Sequence, residues 1–191
     1  TTGGFNTALG FQTLMTNTLG YANTAVGYHA LKLNVVGINN TAVGNNTLLN
    51  FIGSNNTAVG GLALAYSTTG QNNTAVGYQA QGSNTLGTDN VGLGVFALKG
   101  NTVGNFSTAV GNFALENSNG DQNTAVGYES LRLNTTGIYN TAVGSNSLYS
   151  NLTGLQNTAV GQNALHFATV SDNTALGYNA GYDLTTGTNV T

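Results

Sequence analysis

Of the 191 residues, three are Lys or Arg and six are Asp or Glu, and a net charge of -3 with so few cations excludes a run of phosphates or an anionic lipid surface as partner. The chain has no Cys, which removes disulfides, thiolate metal sites and Cys nucleophiles. It has no apolar run approaching the roughly 20 residues of a membrane span, and its opening TTGGFNTALG lacks the basic and apolar regions of a signal peptide, so the segment is expected to be soluble, without nucleic acid and without membrane insertion.

A five-residue phrase, NTAVG in its commonest form, recurs from one end to the other. Its last glycine falls at Gly10, Gly27, Gly44, Gly60, Gly77, Gly94, Gly111, Gly127, Gly144, Gly161 and Gly177, at intervals of 16 or 17 residues. A period this short is too small for the paired helices of the longer helical repeats. The β-branched residues of the phrase favour strands, while Asn and Gly gather where turns need side-chain bonding or positive φ. The predicted strands therefore run, in chain order, through Ala8 and Leu9, Ala25 and Val26, Ala42 and Val43, Ala58 and Val59, Ala75 and Val76, Gly92 and Leu93, Ala109 and Val110, Ala125 and Val126, Ala142 and Val143, Ala159 and Val160, and Ala175 and Leu176. The expected fold is all-β: a β-roll or solenoid of about eleven coils of 16 to 17 residues, with residues 1–191 forming one repeat array. At roughly 4.8 Å per coil it extends about 50 Å.

A second glycine precedes the end of the phrase by seven residues, at Gly20, Gly37, Gly53, Gly70, Gly87, Gly104, Gly120, Gly137 and Gly154, with Val170 in its place once. The leg between the two never changes length, so the one-residue slack always lies in the other turn. Gly137 and its equivalents are expected at positive φ. The ends, TTGG and GTNVT, carry no polar cap of the kind repeat arrays normally need, and read as cut edges of a longer fibre.

Adjacent strand residues point to opposite faces, and here one face is Ala and the other Val or Leu. Both faces being small or apolar is the pattern of a strand covered on both sides. One face closes the roll, together with Leu14, Leu31, Leu48, Leu64, Leu98, Leu115, Leu131, Leu148 and Leu165. The other needs a second sheet, and copies of the same chain are the available source, so a homo-oligomer is expected, against the alternative of a monomer with an Ala-rich exterior. Which face is which stays open.

The repeated NTAVGYxAL, followed by a turn such as NTTG, resembles the head repeats of YadA-like trimeric autotransporter adhesins, and is similar to the NTAVG-rich arrays of tail-fibre-like surface proteins of bacteria and phages. The resemblance implies a left-handed parallel β-roll, a homotrimer, and a place in an extracellular attachment fibre on a cell or virion surface. The coil here is a few residues longer than in the adhesin heads.

Candidate chemistry is sparse. His29 and His166 lie in distant coils, and the single Asp residues lack the nonapeptide of calcium-binding rolls, so no metal or cofactor is expected. No GxSxG elbow occurs, and the only neighbouring carboxylates are Glu116 and Asp121, read as solvated turn residues. An enzyme is not expected, because each coil offers the same groups.

Two features invite a contact role. Tyr28, Tyr78, Tyr128 and Tyr178 follow the phrase at intervals of 50 residues, three coils apart and too distant to stack on each other. They either fill a seam or form spaced platforms for a sugar. Asn and Thr open nearly every phrase, a ladder explained by turn bonding or, less readily, by ice binding. The functional expectation is a structural or adhesive shaft or head of an extracellular fibre with a possible glycan or matrix ligand; the alternatives are a tail-fibre spacer without binding activity, an ice-binding face, or a polysaccharide-active solenoid.

Overall fold

The structure, a computed structural model, describes residues 3–187. The GTNVT end therefore falls almost wholly outside the described residues, as do the first two residues of TTGG.

Eleven three-residue strands follow one another: β1 Thr7–Leu9, β2 Thr24–Val26, β3 Thr41–Val43, β4 Thr57–Val59, β5 Thr74–Val76, β6 Val91–Leu93, β7 Thr108–Val110, β8 Thr124–Val126, β9 Thr141–Val143, β10 Thr158–Val160 and β11 Thr174–Leu176. They form one parallel sheet in chain order. Pairing is in register, so that Ala75 lies between Ala58 and Gly92, and Val126 between Val110 and Val143. Among the described residues there is no helix, and hence none long and apolar enough to cross a membrane. The fold is a parallel β-solenoid whose coils continue to pair outside the strands: Leu31 N–H donates forward to Thr47 O at 3.0 Å, and His29 N–H donates back to Phe11 O at 2.9 Å.

A coil this short closes because its backbone is repeatedly left-handed. Gly27 has φ 131°, and His29 and Leu31 follow at 58° and 48°, a pattern repeated in each coil. A non-glycine residue in that region costs roughly 1–2 kcal/mol. At Gly27 glycine is required for space as well, since a Cβ there would lie 2.8 Å from the carbonyl carbon of Gly44 in the next coil.

The question of which strand face is inside has a clear answer. Ala25, Ala42, Ala58, Ala75, Ala125 and Ala142 are fully buried, whereas Val76, Val126 and Val143 are 36–38 % exposed and Val26, Val43, Val59, Val110 and Val160 are half-buried. The interior is too thin for two branched side chains, so Ala takes the inner face opposite the buried Leu column, and Thr and Val form the outer face. The Ala and Leu columns pack into two apolar clusters, one running from Ala25 to Ala80 and the other from Ala97 to Ala175.

The rest of the interior is amide. Asn40 N–H donates to Asn23 Oδ1 at 3.0 Å, Asn23 Nδ2 donates to Gly37 O at 2.8 Å, and the same links recur through Asn123, Asn140 and Asn157. These buried side chains satisfy the turn carbonyls coil after coil, which buried polar groups require. Where the slack turn has two central residues it begins with an Asn at seven places after the phrase glycine, as in Asn34 to Gly37, where Gly37 N–H donates to Asn34 Oδ1 at 2.9 Å and Asn34 Nδ2 to Gly37 O at 3.1 Å. Ser67 and Leu184 are the exceptions among these longer turns. Where the turn is one residue shorter, Phe51, Ser118 or Ala168 stands there instead.

The expectation of positive φ at Gly137 is corrected. Its φ lies outside the left-handed region, which is occupied two residues later by Tyr139 at 60°. Glycine is needed at 137 for space, because a Cβ would run into Asn134 Oδ1 and the carbonyl oxygen of Gly154. In the tenth coil Val170 occupies the equivalent place beside Ala168, which has no side-chain amide to block it, and the Val170 carbonyl still accepts from Asn157 Nδ2 at 2.8 Å.

Candidate functional site

After each phrase glycine the alternating left-handed residues sort side chains by position. Ala30 and Leu31, three and four places after Gly27, are buried, whereas on the outer side Tyr28, one place after it, is exposed and His29 and Lys32, two and five places after it, are half-buried. Stacked over eleven coils, these outward positions form a long edge beside the sheet, and it is here that the repeat loses its uniformity.

Tyr78, Phe96, Phe113 and Tyr128 make a continuous row across four coils, with successive ring centroids 5.7, 5.3 and 6.1 Å apart and planes turned by 69°, 40° and 87°. Lys99 Nζ lies 4.5 Å from the Phe96 centroid and the Arg132 guanidinium 4.7 Å from that of Phe113, both within cation–π range. Arg132 Nε donates to Glu116 Oε2 at 2.8 Å, and Nη1 pairs with Glu129. Burial alone would lower the Arg132 pKa, but the hydrogen bond and charge of Glu116, joined by the charge of Glu129, hold it above the usual guanidinium value. The hydrogen bond with Glu129 and then its negative charge raise the Tyr128 pKa.

Both ends of this edge carry further aromatic contacts. Phe11 and Tyr28 stack at 5.5 Å and 11°, with His29 against Tyr28 at 3.8 Å. Farther along, His166 is sandwiched between Tyr149 and Tyr182, each 5.1 Å away and within 15° of parallel, with the Phe167 ring edge-on at 4.5 Å. His166 Nδ1 lies 3.1 Å from the Asn146 carbonyl oxygen; since a carbonyl only accepts, that nitrogen carries the proton.

The expected contact residues are thus placed differently from one another. Tyr28, Tyr78 and Tyr128 are about half exposed on this edge, and Tyr178 is the most open of the four. They do not stack on each other, as their spacing requires, but Phe96 and Phe113 join Tyr78 to Tyr128. Glu116 is not paired with Asp121: Asp121 accepts from Asn105 N–H at 2.7 Å, while Glu116 is held by Arg132. The two carboxylates on the edge, Glu116 and Glu129, share one guanidinium.

All three Lys or Arg side chains, Lys32, Lys99 and Arg132, together with His166, lie five places after a phrase glycine, and His29 two places after one, so every basic side chain of the chain stands on this edge. Comparing the fifth position across copies shows this in the sequence itself; it is missed when the repeats are compared only at the positions that stay constant. Among the described residues no group of three or more His, Asp or Glu side chains is placed to hold a metal ion.

The second candidate surface is the sheet's outer face. Thr and Val stand two residues apart on most strands and stack in register from coil to coil, with Val91 in place of Thr once and Leu9, Leu93 and Leu176 in place of Val, and no charged residue lies on this face. No family model, curated protein or solved structure matches the chain.

Proposed function

We propose that this chain is a shaft or head segment of an extracellular attachment fibre, without catalytic activity, and that it works as a homotrimer in which the Thr and Val faces of three rolls meet. The observation that carries this reading is the direction of the strand side chains: the roll is closed by Ala, which leaves an uncharged apolar column of Val and Leu along the outside of an eleven-stranded sheet. Contiguous apolar surface of that length is a usual mark of association. A straight, repeated face meets further copies of itself in register, and closed rotational symmetry ends the association at a defined number. The resemblance of the NTAVGYxAL repeats to the trimeric adhesin heads supports three chains and a cell or virion surface as the location.

The test is the solution mass of the protein and of Val76→Lys/Val126→Lys. The expected result is a trimer that the double variant splits into monomers with the β circular dichroism retained. A monomeric parent chain contradicts the reading.

The same face favours one second reading. An in-register array of hydroxyl and methyl groups on a monomer offers a flat lattice to an ice surface, and thermal hysteresis from a monomeric chain is the result that would select it. If the trimer forms but adheres to nothing, the segment is a spacer in its fibre.

A further inference from the structure

The strands that face the axis of the proposed trimer all run the same way across the rod, and this gives the contact between chains a direction. We infer that each roll meets the next through unlike rims of its sheet, level by level. One rim is the column just after the phrase glycine, which holds Tyr28, Tyr78, Tyr128 and Tyr178; the other is the partner's column just before the phrase, which at those levels holds Ala22, Asn72, Gln122 and Asp172. This rests on the trimeric reading and goes beyond it, since that reading names the face and not the seam.

The first ground is symmetry. The eleven strands are parallel and follow chain order along the rod. When three such sheets are related by a three-fold axis along the rod, their strands circle the axis in one sense, so the end of a strand in one chain lies beside the start of a strand in the next. The contact is heterologous, and the Tyr column does not meet the partner's Tyr column. Rotation without translation fixes the level too, so that each coil meets the coil of the same number.

The second ground is width. Packed sheets lie about 10 Å apart, so three faces round an axis each stand about 5 Å from it, and a triangle of that depth has sides of about 17 Å. A three-residue strand such as β8 covers only about 10 Å at about 3.3 Å per residue, whereas the whole five-residue phrase covers about 17 Å. For the phrase at 123–127 the corners then fall on Gln122 and Tyr128, both of them exposed.

The third ground is the chemistry of the two columns. Tyr28, Tyr78 and Tyr128 are 46–50 % exposed and Tyr178 is 71 % exposed, so each ring has surface left to cover. Tyr78 Oη accepts from Gln79 Nε2 at 3.2 Å and keeps its proton for the partner's Asn72. Tyr128 is hydrogen-bonded to Glu129 and keeps a lone pair for the amide of the partner's Gln122. Where the ring stands on the other rim, at Tyr139, the place across the seam is the small Ser145. No charged residue occupies the column after the glycine, so it neither repels a second copy nor calls for a charged partner.

The chain has no cysteine, so an introduced disulfide reports the seam. Tyr139→Cys/Ser145→Cys puts one thiol on each rim of β9. Within one chain the strand holds them about 10 Å or more apart, beyond the roughly 7 Å that the Cα atoms of a disulfide allow. With oxidised glutathione as oxidant, the double variant is expected to run at three chain masses on denaturing electrophoresis and to return to one on reduction. Each single variant is expected to stay at one chain mass, and so is Asn112→Cys/Tyr139→Cys, whose thiols lie two coils apart. Circular dichroism checks folding, and Asn72→Cys/Tyr78→Cys puts the same question to β5 if the first pair disturbs it. A trimeric parent whose paired variants do not link, or whose mismatched pair links equally well, overturns the seam and leaves the trimer standing. Covalent dimers from a single variant show a like-to-like contact and overturn it too. A parent that sediments as a monomer overturns both.

Discussion

Gln81 occupies the space that Gly92 leaves open. Gln81 is the only polar side chain in the buried Leu column, and Gly92 is the only glycine in the Ala column; a Cβ on Gly92 would stand 3.1 Å from Gln81 Cγ. The amide is satisfied there, Nε2 donating to Thr74 O at 2.9 Å and to Asn90 O at 3.2 Å. The two apolar clusters meet on either side of this pair, so the core is divided where the amide sits.

The pair is therefore expected to be coupled. Gly92→Ala should destabilise the chain by about 1–2 kcal/mol, and Gln81→Leu alone should crowd no one but leave a gap where Gly92 has no methyl group. Gln81→Leu with Gly92→Ala should restore the usual Leu and Ala contact and exceed the parent in stability, giving an interaction energy above about 0.5 kcal/mol in a double-mutant cycle. Urea titration followed by circular dichroism measures all four proteins, and additive effects would mean the two positions do not share the space.

The two strand faces should respond oppositely to charge. Ala125→Glu places a carboxylate in the sealed interior with no cation near it and should cost about 4 kcal/mol or more, seen as loss of the β spectrum. Val126→Glu, one residue away on the outer face, should leave the monomer folded and act on association. A folded Ala125→Glu chain would reverse the assignment of the faces.

The slack turn should accept the change that separates short coils from long ones. Inserting Thr between Asn119 and Gly120, with Ser118→Asn, recreates the Asn-led turn seen at Asn34 and Asn101, where the side chain bridges to the closing glycine. Its unfolding free energy from urea titration should stay within about 1 kcal/mol of the parent, since a surface loop tolerates length well. One residue inserted between Gly120 and Asn123 should instead displace the buried Asn123 from Gly137 O and unfold neighbouring coils. Equal tolerance at both places would contradict the fixed-leg account.

Exposed left-handed positions offer stabilisation. Phe106 is 59 % exposed with φ 57°, and its counterparts Asn39, Asn55 and Asn72 form a side-chain ladder ending on Asp89. Phe106→Asn should relieve backbone strain and extend that ladder by a donor to Asp89, raising stability by about 1 kcal/mol. A lower thermal midpoint for Phe106→Asn would show that the phenyl ring contributes more than the strain removes.

The period, the strands and the position of the variable turn were legible because they depend on spacing alone, and a misplaced residue in a three-residue strand turns its side chain to the wrong face. The direction of the faces was not legible: Ala75 and Val76 are both compatible with burial, and only the width of the closed coil decides which fits inside. Gly137 misled for a related reason, since a glycine in a turn suggests positive φ while here it answers to the closeness of Asn134 and Gly154. The phrase Asn residues read as local turn formers, yet Asn23 and Asn123 act mainly between coils, a distance that residue type does not encode. The edge carrying Lys99 and Arg132 was hidden by the repeat itself, because comparison of copies rewards what stays the same.

The most direct measurement is the mass of the intact chain in solution by sedimentation equilibrium, taken beside that of Val76→Lys/Val126→Lys. The account predicts three times the chain mass for the parent and a single chain mass, with the β spectrum retained, for the variant. A parent chain that sediments as a monomer, or a variant that stays trimeric, would contradict it.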